Sequence, residues 1–375
     1  MTRRETYLDW NATAPLRPEA ATAITAALSD YGNPSSVHRW GRAARERVES
    51  ARQAIAALTG ASTEGIVFVS GGTEANHLAI LGSGRDPVLV SAVEHSSVLQ
   101  AVSAAQKITV NAHGIVDLNR LEEQLGADPR PALVSVMLAN NETGVIEPVA
   151  EIACIAHRYG ALLHCDAVQA AGKISVDVAT IGADLLSVSA HKLGGPAGTG
   201  ALIACNGMEV RPIIRGGGQE RGRRAGTENL PGIAGFAAAA AAAVERLADY
   251  ERIRELRDKL EASLLAIAPE AIVIGTGVSR LPNTSAIALP GLSAETQVIA
   301  LDLDGVMVSA GAACSSGKVG PSHVLRAMGA APDIANSTIR VSLGWSTSEA
   351  EIDHFLEAWT AMYRRVIRHR KARAA

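Results

Sequence analysis

Short runs of apolar residues alternate along this chain with longer stretches of helical periodicity, the order expected when strands and helices follow one another into a mostly parallel sheet. Strand-like runs fall at 65–70, 87–91, 133–138, 162–165, 185–189 and 200–204, and helical patterns at 42–59, 74–81 and 149–159. A further pattern predicts one long helix over 233–267, apolar at first and then charged from Glu245 and Arg246 through Asp249, Glu251 and Arg252. That change of character predicts a bridge between two units with a boundary near residue 246. Beyond it, strand-like runs at 271–274, 285–289, 306–309 and 339–342 interleave with helices starting near Ser293, Pro321 and Ser348. Ser348 and Glu351 have the spacing of a capping box. The expected division is a large domain over 15–245 and a smaller α+β domain built from 1–14 and 246–375.

Composition narrows the class. With 375 residues, 47% apolar and 19% charged, the chain can bury a sizeable core, and disorder is excluded as a global description. Aromatic residues make up only 3%, so the core must be built from Val, Ile, Leu and Ala, which suits helices packed on a parallel sheet. The balance of 35 basic against 38 acidic residues argues against a nucleic-acid partner. The Ala-rich run at 232–244 spans 13 residues and leads into Glu245 and Arg246, so it reads as a buried helix and no membrane contact is expected. The four cysteines, Cys154, Cys165, Cys205 and Cys314, form no C-x-x-C pair, and the chain opens without an apolar leader, so a cytoplasmic protein without a disulfide framework is expected.

In open α/β sheets ligands bind beyond the carboxyl ends of the strands, which directs attention to the polar residues that follow each apolar run. Ser70 leads into Gly71-Gly72-Thr73-Glu74, a glycine turn opening a helix, which serves either as a plain strand-to-helix turn or as a phosphate cradle. Later runs deliver Glu94-His95, Asn140-Asn141-Glu142, and Asp166 with Gln169 three residues on. His95 alone reads equally as a loop hydrogen-bonder. Asp166 ends a buried run, where a carboxylate needs a cationic or N–H partner to offset desolvation. Next come Ser189-Ala190-His191-Lys192 and a glycine-rich loop, placing a lysine 26 residues after Asp166. Pyridoxal phosphate (PLP) requires such a set: a lysine for a Schiff base, an acid for its pyridinium nitrogen, and donors for its phosphate.

Other cofactor motifs are absent: the chain has no G-x-x-x-x-G-K-[ST], no strand-linked G-x-G-x-x-G with a downstream acid and no H-E-x-x-H. No resident metal site is expected. Cys154, Cys165 and Cys205 lie on a helical face or beside apolar runs and read as core residues. Cys314 sits instead among small residues, Ser309-Ala310-Gly311-Ala312-Ala313-Cys314-Ser315-Ser316-Gly317-Lys318, which reads as an ordinary loop or as an accessible thiol suited to carrying sulfur.

Taken in order, the segments Tyr31-Gly32-Asn33-Pro34-Ser35-Ser36-Val37-His38, Gly71-Gly72-Thr73-Glu74-Ala75-Asn76, Glu94-His95-Ser96-Ser97-Val98, Asn140-Asn141-Glu142-Thr143-Gly144 and His164-Cys165-Asp166-Ala167-Val168-Gln169 are joined by Ser189-Ala190-His191-Lys192, Arg223-Arg224-Ala225-Gly226-Thr227-Glu228-Asn229, Cys314-Ser315-Ser316-Gly317 and Ile339-Arg340-Val341-Ser342-Leu343-Gly344. This series resembles the cysteine desulfurases of the NifS/IscS type over nearly the whole chain. The resemblance implies an α/β fold of the aspartate-aminotransferase-like PLP-dependent class (fold type I), working as a homodimer with shared active sites. It implies that Lys192 holds PLP as a Schiff base, Asp166 pairs with the pyridinium nitrogen, Gln169 bonds the ring oxygen, and His95 stacks on the ring and moves protons. Gly72, Thr73, Ser189 and His191 would bind the phosphate, with Thr227 from the partner subunit. Asn33, Asn141 and Arg340 would meet the substrate.

The implied reaction converts L-cysteine to L-alanine and leaves the sulfur on Cys314 as a persulfide, for an iron–sulfur scaffold or another sulfur-acceptor protein. The Cys314 loop is similar to the longer-loop group that passes sulfur directly, and a transient contact between Cys314 and an iron–sulfur cluster is left open. The alternative is a selenocysteine lyase or another PLP-dependent C–S lyase on the same fold, which would not depend on Cys314.

Overall fold

The computed structural model describes residues 4–311 and 322–374. Strand β1 (Thr6–Tyr7) precedes the seven strands of the main sheet: β2 (Ile66–Val69), β3 (Val88–Ser91), β4 (Gln106–Ile108), β5 (Leu133–Met137), β6 (Leu162–Asp166), β7 (Leu185–Ser189) and β8 (Gly200–Ala204). Their spatial order is β2-β8-β7-β6-β5-β3-β4. Every neighbouring pair is parallel except those of β8, which runs antiparallel to both β2 and β7. Helices cover both faces, which is why β5, β7 and β8 are buried along their whole length and read in sequence as unbroken apolar runs.

The Ala-rich segment becomes the helix Leu230–Glu245, capped by Asn229, whose side chain accepts from Gly232 N at 3.2 Å. It packs against both Pro18–Ala27 and Arg39–Thr59. Small residues permit that approach: a Cβ added at Gly235 would come within 2.6 Å of Ile24 Cγ1. The expected single helix over 233–267 is instead two, Leu230–Glu245 and Tyr250–Ile267, joined by the short turn Leu247–Asp249 and bent by 62°. The cause is a change of core. Ile233, Phe236 and Ala240 pack under the main sheet, whereas Ile253, Leu260 and Leu264 pack with Val273, Ile287, Phe355 and Trp359. Arg246, at the break, pairs with Glu19 at 3.0 Å. Among the described residues no single helix is long and apolar enough to cross a membrane.

The second core lies against β9 (Ile272–Val273), β10 (Thr284–Ala288), β11 (Val306–Met307), β12 (Ser309–Ala310) and β13 (Thr338–Ser342). Strands β12-β13-β10-β9 form an antiparallel sheet, while β11 pairs in parallel with β1. The run expected as one strand over 306–309 is therefore two, because the chain changes sheets at Val308. The last helix, Glu349–Ala374, starts at the capping box: Ser348 N donates to Glu351 Oε2 at 2.8 Å and Glu351 N to Ser348 Oγ at 3.3 Å. Strand β4 gave no apolar signal because it is an edge strand, with Gln106 and Lys107 exposed and only Ile108 buried. The helices Pro18–Ala27 and Leu118–Ala127 also went unpredicted; each buries only two residues.

One buried acid, Glu147, has no cation paired with it among the described residues. Glu147 is 4% exposed; Val116 N donates to its Oε2 at 3.0 Å, and its Oε1 has no partner among the described residues. Burial raises its pKa from 4.5 to about 8. A raised acid stabilises the fold fully below its unfolded pKa, and that contribution is lost as pH rises through the folded value. Glu147→Gln, which cannot ionise, is expected to gain on the order of 2 kcal/mol over the wild type between pH 6 and pH 9 in urea unfolding. Parallel stability curves would show that Glu147 ionises in the fold as readily as in water.

Candidate active site

Strands β2, β3, β5, β6 and β7 bring their carboxyl ends to one edge of the sheet, and a cavity of about 300 Å³ opens there. A larger cavity of about 620 Å³, lined by Gly65, Asp184 and Cys205 among others, lies at the opposite edge and holds none of the residues gathered here.

At the base of the cavity Asp166 ends β6 and is 6% exposed. Asn76 Nδ2 donates to its Oδ2 at 2.7 Å and Val168 N to its Oδ1 at 2.9 Å. Among the described residues no Lys, Arg or His forms an ion pair with it, so the one place left for a positive partner is the cavity it faces. Burial and then the Asp166 charge push neighbouring Glu94 well above the usual carboxylate range, which keeps a second negative charge away from this base. Burial likewise raises the Cys165 thiol far from reactivity. His164, held between Ser135 at 2.8 Å and Ser187 at 2.9 Å, is driven by burial to about 4 and stays neutral.

A polar chain links Asp166 to His95. Asn76 Nδ2 also donates to Ser97 Oγ at 2.9 Å, and that hydroxyl meets His95 Nδ1 at 2.8 Å. Ser97 N donates to the same Nδ1 at 3.1 Å, so Nδ1 is an acceptor and the neutral imidazole carries its proton on Nε2. Asn76 and Ser97 were visible in the sequence only as neighbours of glycine and histidine; their role depends on the helices Gly72–Gly82 and Ser96–Leu99 meeting.

The amine of Lys192 donates to the carbonyls of Asn11 at 2.6 Å and Ala12 at 2.8 Å. Asn11 is a site residue that sequence reasoning missed. Its carbonyl also accepts from Gln169 Nε2 at 2.9 Å, and its side chain reaches Thr284 Oγ1 at 2.9 Å. Gly72, Thr73, Ser189 and His191 line the same cavity, at the start of the helix Gly72–Gly82 whose first N–H groups lack helical acceptors. Gly71, at φ 154° and ψ −178°, holds a conformation open essentially to glycine alone. Burial, then Lys192, lowers His191 to about 4, so its ring is neutral beside Thr13 at 3.2 Å.

Arg340, on β13, reaches the cavity from the second sheet and is 2% exposed. Its Nη2 donates to Asp9 Oδ1 at 2.7 Å and its Nη1 to the Asn141 carbonyl at 3.1 Å, while its buried Nε has no partner among the described residues. Asn141 also lines the cavity.

Two expected site residues lie outside this cavity's lining, and a third is not described. Asn33 is exposed and outside the cavity lining, its Oδ1 accepting from Ser35 N at 2.8 Å in a local turn. Thr227 lines a separate cavity of about 230 Å³ with Ser70 and Arg224. The loop leading to it is tied down by Glu220, which pairs with buried Arg52 at 2.9 Å and accepts from Phe68 N at 2.9 Å. Cys314 falls outside the described residues.

Residues 6–355 match the class-V aminotransferase family. A cysteine desulfurase of Cereibacter sphaeroides is 46% identical over 366 residues, 94% of each chain, and one of Trichormus azollae is 41% identical over 374 residues, 96% of this chain and 93% of that one. The solved structure of a NifS-like protein from Rickettsia africae ESF-5 superposes with a TM-score of 0.89 at 36% identity, covering 96% of this chain and all of that one. The chain belongs to the class-V aminotransferases, in their cysteine desulfurase branch. Its fold is accordingly that of the fold type I PLP-dependent enzymes.

PLP is the cofactor of this family, and the residues present fit it. Asp166 is a buried acceptor facing the cavity without a cation, Lys192 offers a primary amine, and Gly72 leaves room that a side chain would take, since an added Cβ would stand 2.9 Å from Val168 Cγ2. Lys192→Ala, reconstituted with PLP and passed through a desalting column, is expected to emerge colourless while the wild type stays yellow. Retention of a yellow band by the variant would move the attachment point to another amine.

Proposed function

We propose that this chain is a PLP-dependent cysteine desulfurase that converts L-cysteine to L-alanine and takes the sulfur onto Cys314 as a persulfide, for an iron–sulfur scaffold or another acceptor protein. The observation that carries the reading is the convergence on one cavity of an acid, an amine and a guanidinium, with both flanks of the Cys314 segment meeting Glu142, the neighbour of the lining residue Asn141. Ser322, just after that segment, donates to Glu142 Oε2 at 2.5 Å, and Gly311, just before it, lies so close that an added Cβ would stand 3.1 Å from the same oxygen. Glu142 adjoins Asn141, and burial lifts its pKa to about 7. The curated relatives favour this reading over a selenocysteine lyase.

When bound, PLP supplies an electron-withdrawing ring that delocalises negative charge developing at the substrate Cα. Lys192 Nζ would hold the cofactor, the Asp166 carboxylate would keep its ring nitrogen protonated, and Gln169 Nε2 would donate to the ring oxygen. Gly72 N, Thr73, Ser189 and neutral His191 would bind the phosphate. Arg340 and Asn141 would seat the substrate carboxylate, with Asp9 and Ser309 (Oγ to Asp9 Oδ2, 2.8 Å) fixing the guanidinium. His95 would exchange protons through Nε2, the nitrogen left protonated by Ser97. The Cys314 thiolate takes the substrate sulfur: an S–S bond forms, the Cβ–Sγ bond breaks, and proton uptake at carbon completes alanine. The net change is one thiol and one cysteine giving one persulfide and one alanine.

A homodimer with shared sites accounts for Thr227, which lies outside the cavity of its own subunit. Tyr31 and Val37, 77% and 83% exposed, offer an apolar surface for the partner near Asn33. The cellular setting proposed is the cytoplasm.

In an alanine-formation assay from L-cysteine with reductant, Cys314→Ala is expected to keep its colour and lose activity by at least about a thousandfold, as expected when the group that forms the bond is removed. Equal rates would exclude Cys314 as nucleophile and leave a C–S lyase. Mixing Lys192→Ala with Thr227→Ala subunits, under conditions that let dimers exchange, is expected to restore about a quarter of wild-type activity, since half the dimers would be mixed and each would hold one intact site of two. No restoration would place Thr227 at its own subunit's site.

A further inference from the structure

Lys173 does not line the cavity, yet it touches two residues that do. It is 3% exposed, and its Nζ donates to Gln169 Oε1 at 2.8 Å and to Asn11 Oδ1 at 2.8 Å. Asn11 Oδ1 also accepts from Asn283 Nδ2 at 3.1 Å. No carboxylate pairs with Lys173 among the described residues; the charged groups acting on it are two cations, Lys192 and Arg340. Burial first, then those cations, push its pKa well below the ordinary lysine value. A neutral amine has two N–H donors, and here it meets two acceptors. An ammonium would bring a third donor and an uncompensated charge into a buried site.

The consequence falls on Gln169. With Oε1 taken by Lys173 and one Nε2–H given to the Asn11 carbonyl at 2.9 Å, the amide has a single orientation. Flipping it would set Oε1 against the Asn11 carbonyl, oxygen to oxygen. The same carbonyl accepts from Lys192, so one hydrogen-bond network fixes both groups. We propose that Lys173 is a positioning residue that locks the Gln169 amide, so that a nitrogen donor and not an oxygen is presented to the ring oxygen of PLP. This rests on the reading that PLP occupies the Lys192 cavity.

The test is made on cofactor-loaded protein and reads the pH midpoint of the visible absorbance change of bound PLP. A donor at the ring oxygen favours the more negatively charged form, so its loss raises the midpoint. Lys173→Met, which keeps length but removes both donors, is expected to raise it by about one pH unit, and Gln169→Ala by a similar amount, the worth of a hydrogen bond to a charged group. The double variant is expected to match Gln169→Ala alone, because Lys173 acts through that side chain. Should Lys173→Met fail to fold, Lys173→Gln, too short to reach both acceptors, replaces it with the same expectations. An unchanged midpoint in the Lys173 variant, or additive shifts in the double variant, beside a normally coloured wild type, overturns the role of Lys173 alone. A wild type that takes up PLP without a visible band overturns the proposed function as well.

Discussion

The site depends on one asparagine near the start of the chain. Asn11 N donates to Ser342 Oγ at 3.0 Å and its side chain donates to Thr284 Oγ1, which ties it to β13 and β10 of the second sheet. Its carbonyl accepts from Lys192 and Gln169, which belong to loops after β7 and β6 of the main sheet. Every polar atom of this residue is engaged, and its partners come from both sides: Ser342, Thr284 and Asn283 from the second sheet and the loop into it, Lys192, Gln169, Lys173 and Asn141 from the main-sheet side. A buried polar group of this kind costs stability wherever a partner is missing, so the two sheets are held to one relative position by the requirement that all the bonds form together.

The strands were legible in the sequence because they are buried on both faces and therefore run apolar without a break: the expected runs at 185–189 and 200–204 coincide with β7 and β8. The ends of those runs led directly to Asp166, Ser189 and Lys192, since a ligand crevice at the carboxyl edge is a property of the topology and not of any one residue. What stayed hidden was hidden for physical reasons. Asn11 lies in a stretch with no periodicity, and nothing local distinguishes it from a loop asparagine. Asn76 sits on the helix Gly72–Gly82 and Ser97 on the short helix Ser96–Leu99, and only packing reveals that they carry a hydrogen-bond path from Asp166 to His95. The break at Arg246 was invisible to periodicity because helical spacing continues through it while the core beneath changes.

The electrostatics of the site follow one pattern. Glu94, Glu142 and Glu147 are buried and held toward their neutral forms, and His164 and His191 are held neutral from the other direction. Desolvation is the first cause in each case. The ion pair of Arg340 with Asp9 stands beside these groups, at the cavity that Asp166 also lines.

The pairing of the chain's two ends has a consequence for how the protein is made. Thr6 lies opposite Val306, and Asp9 opposite Ser342, so this early segment finds these partners only after some three hundred further residues have been added. The main sheet can assemble around β5 and β6 long before then, but Asn11 still lacks its second-sheet partners Thr284 and Ser342. The cavity is therefore among the last parts of the molecule to exist, and a ligand that binds only the finished cavity would favour the completed chain over every shorter form of it.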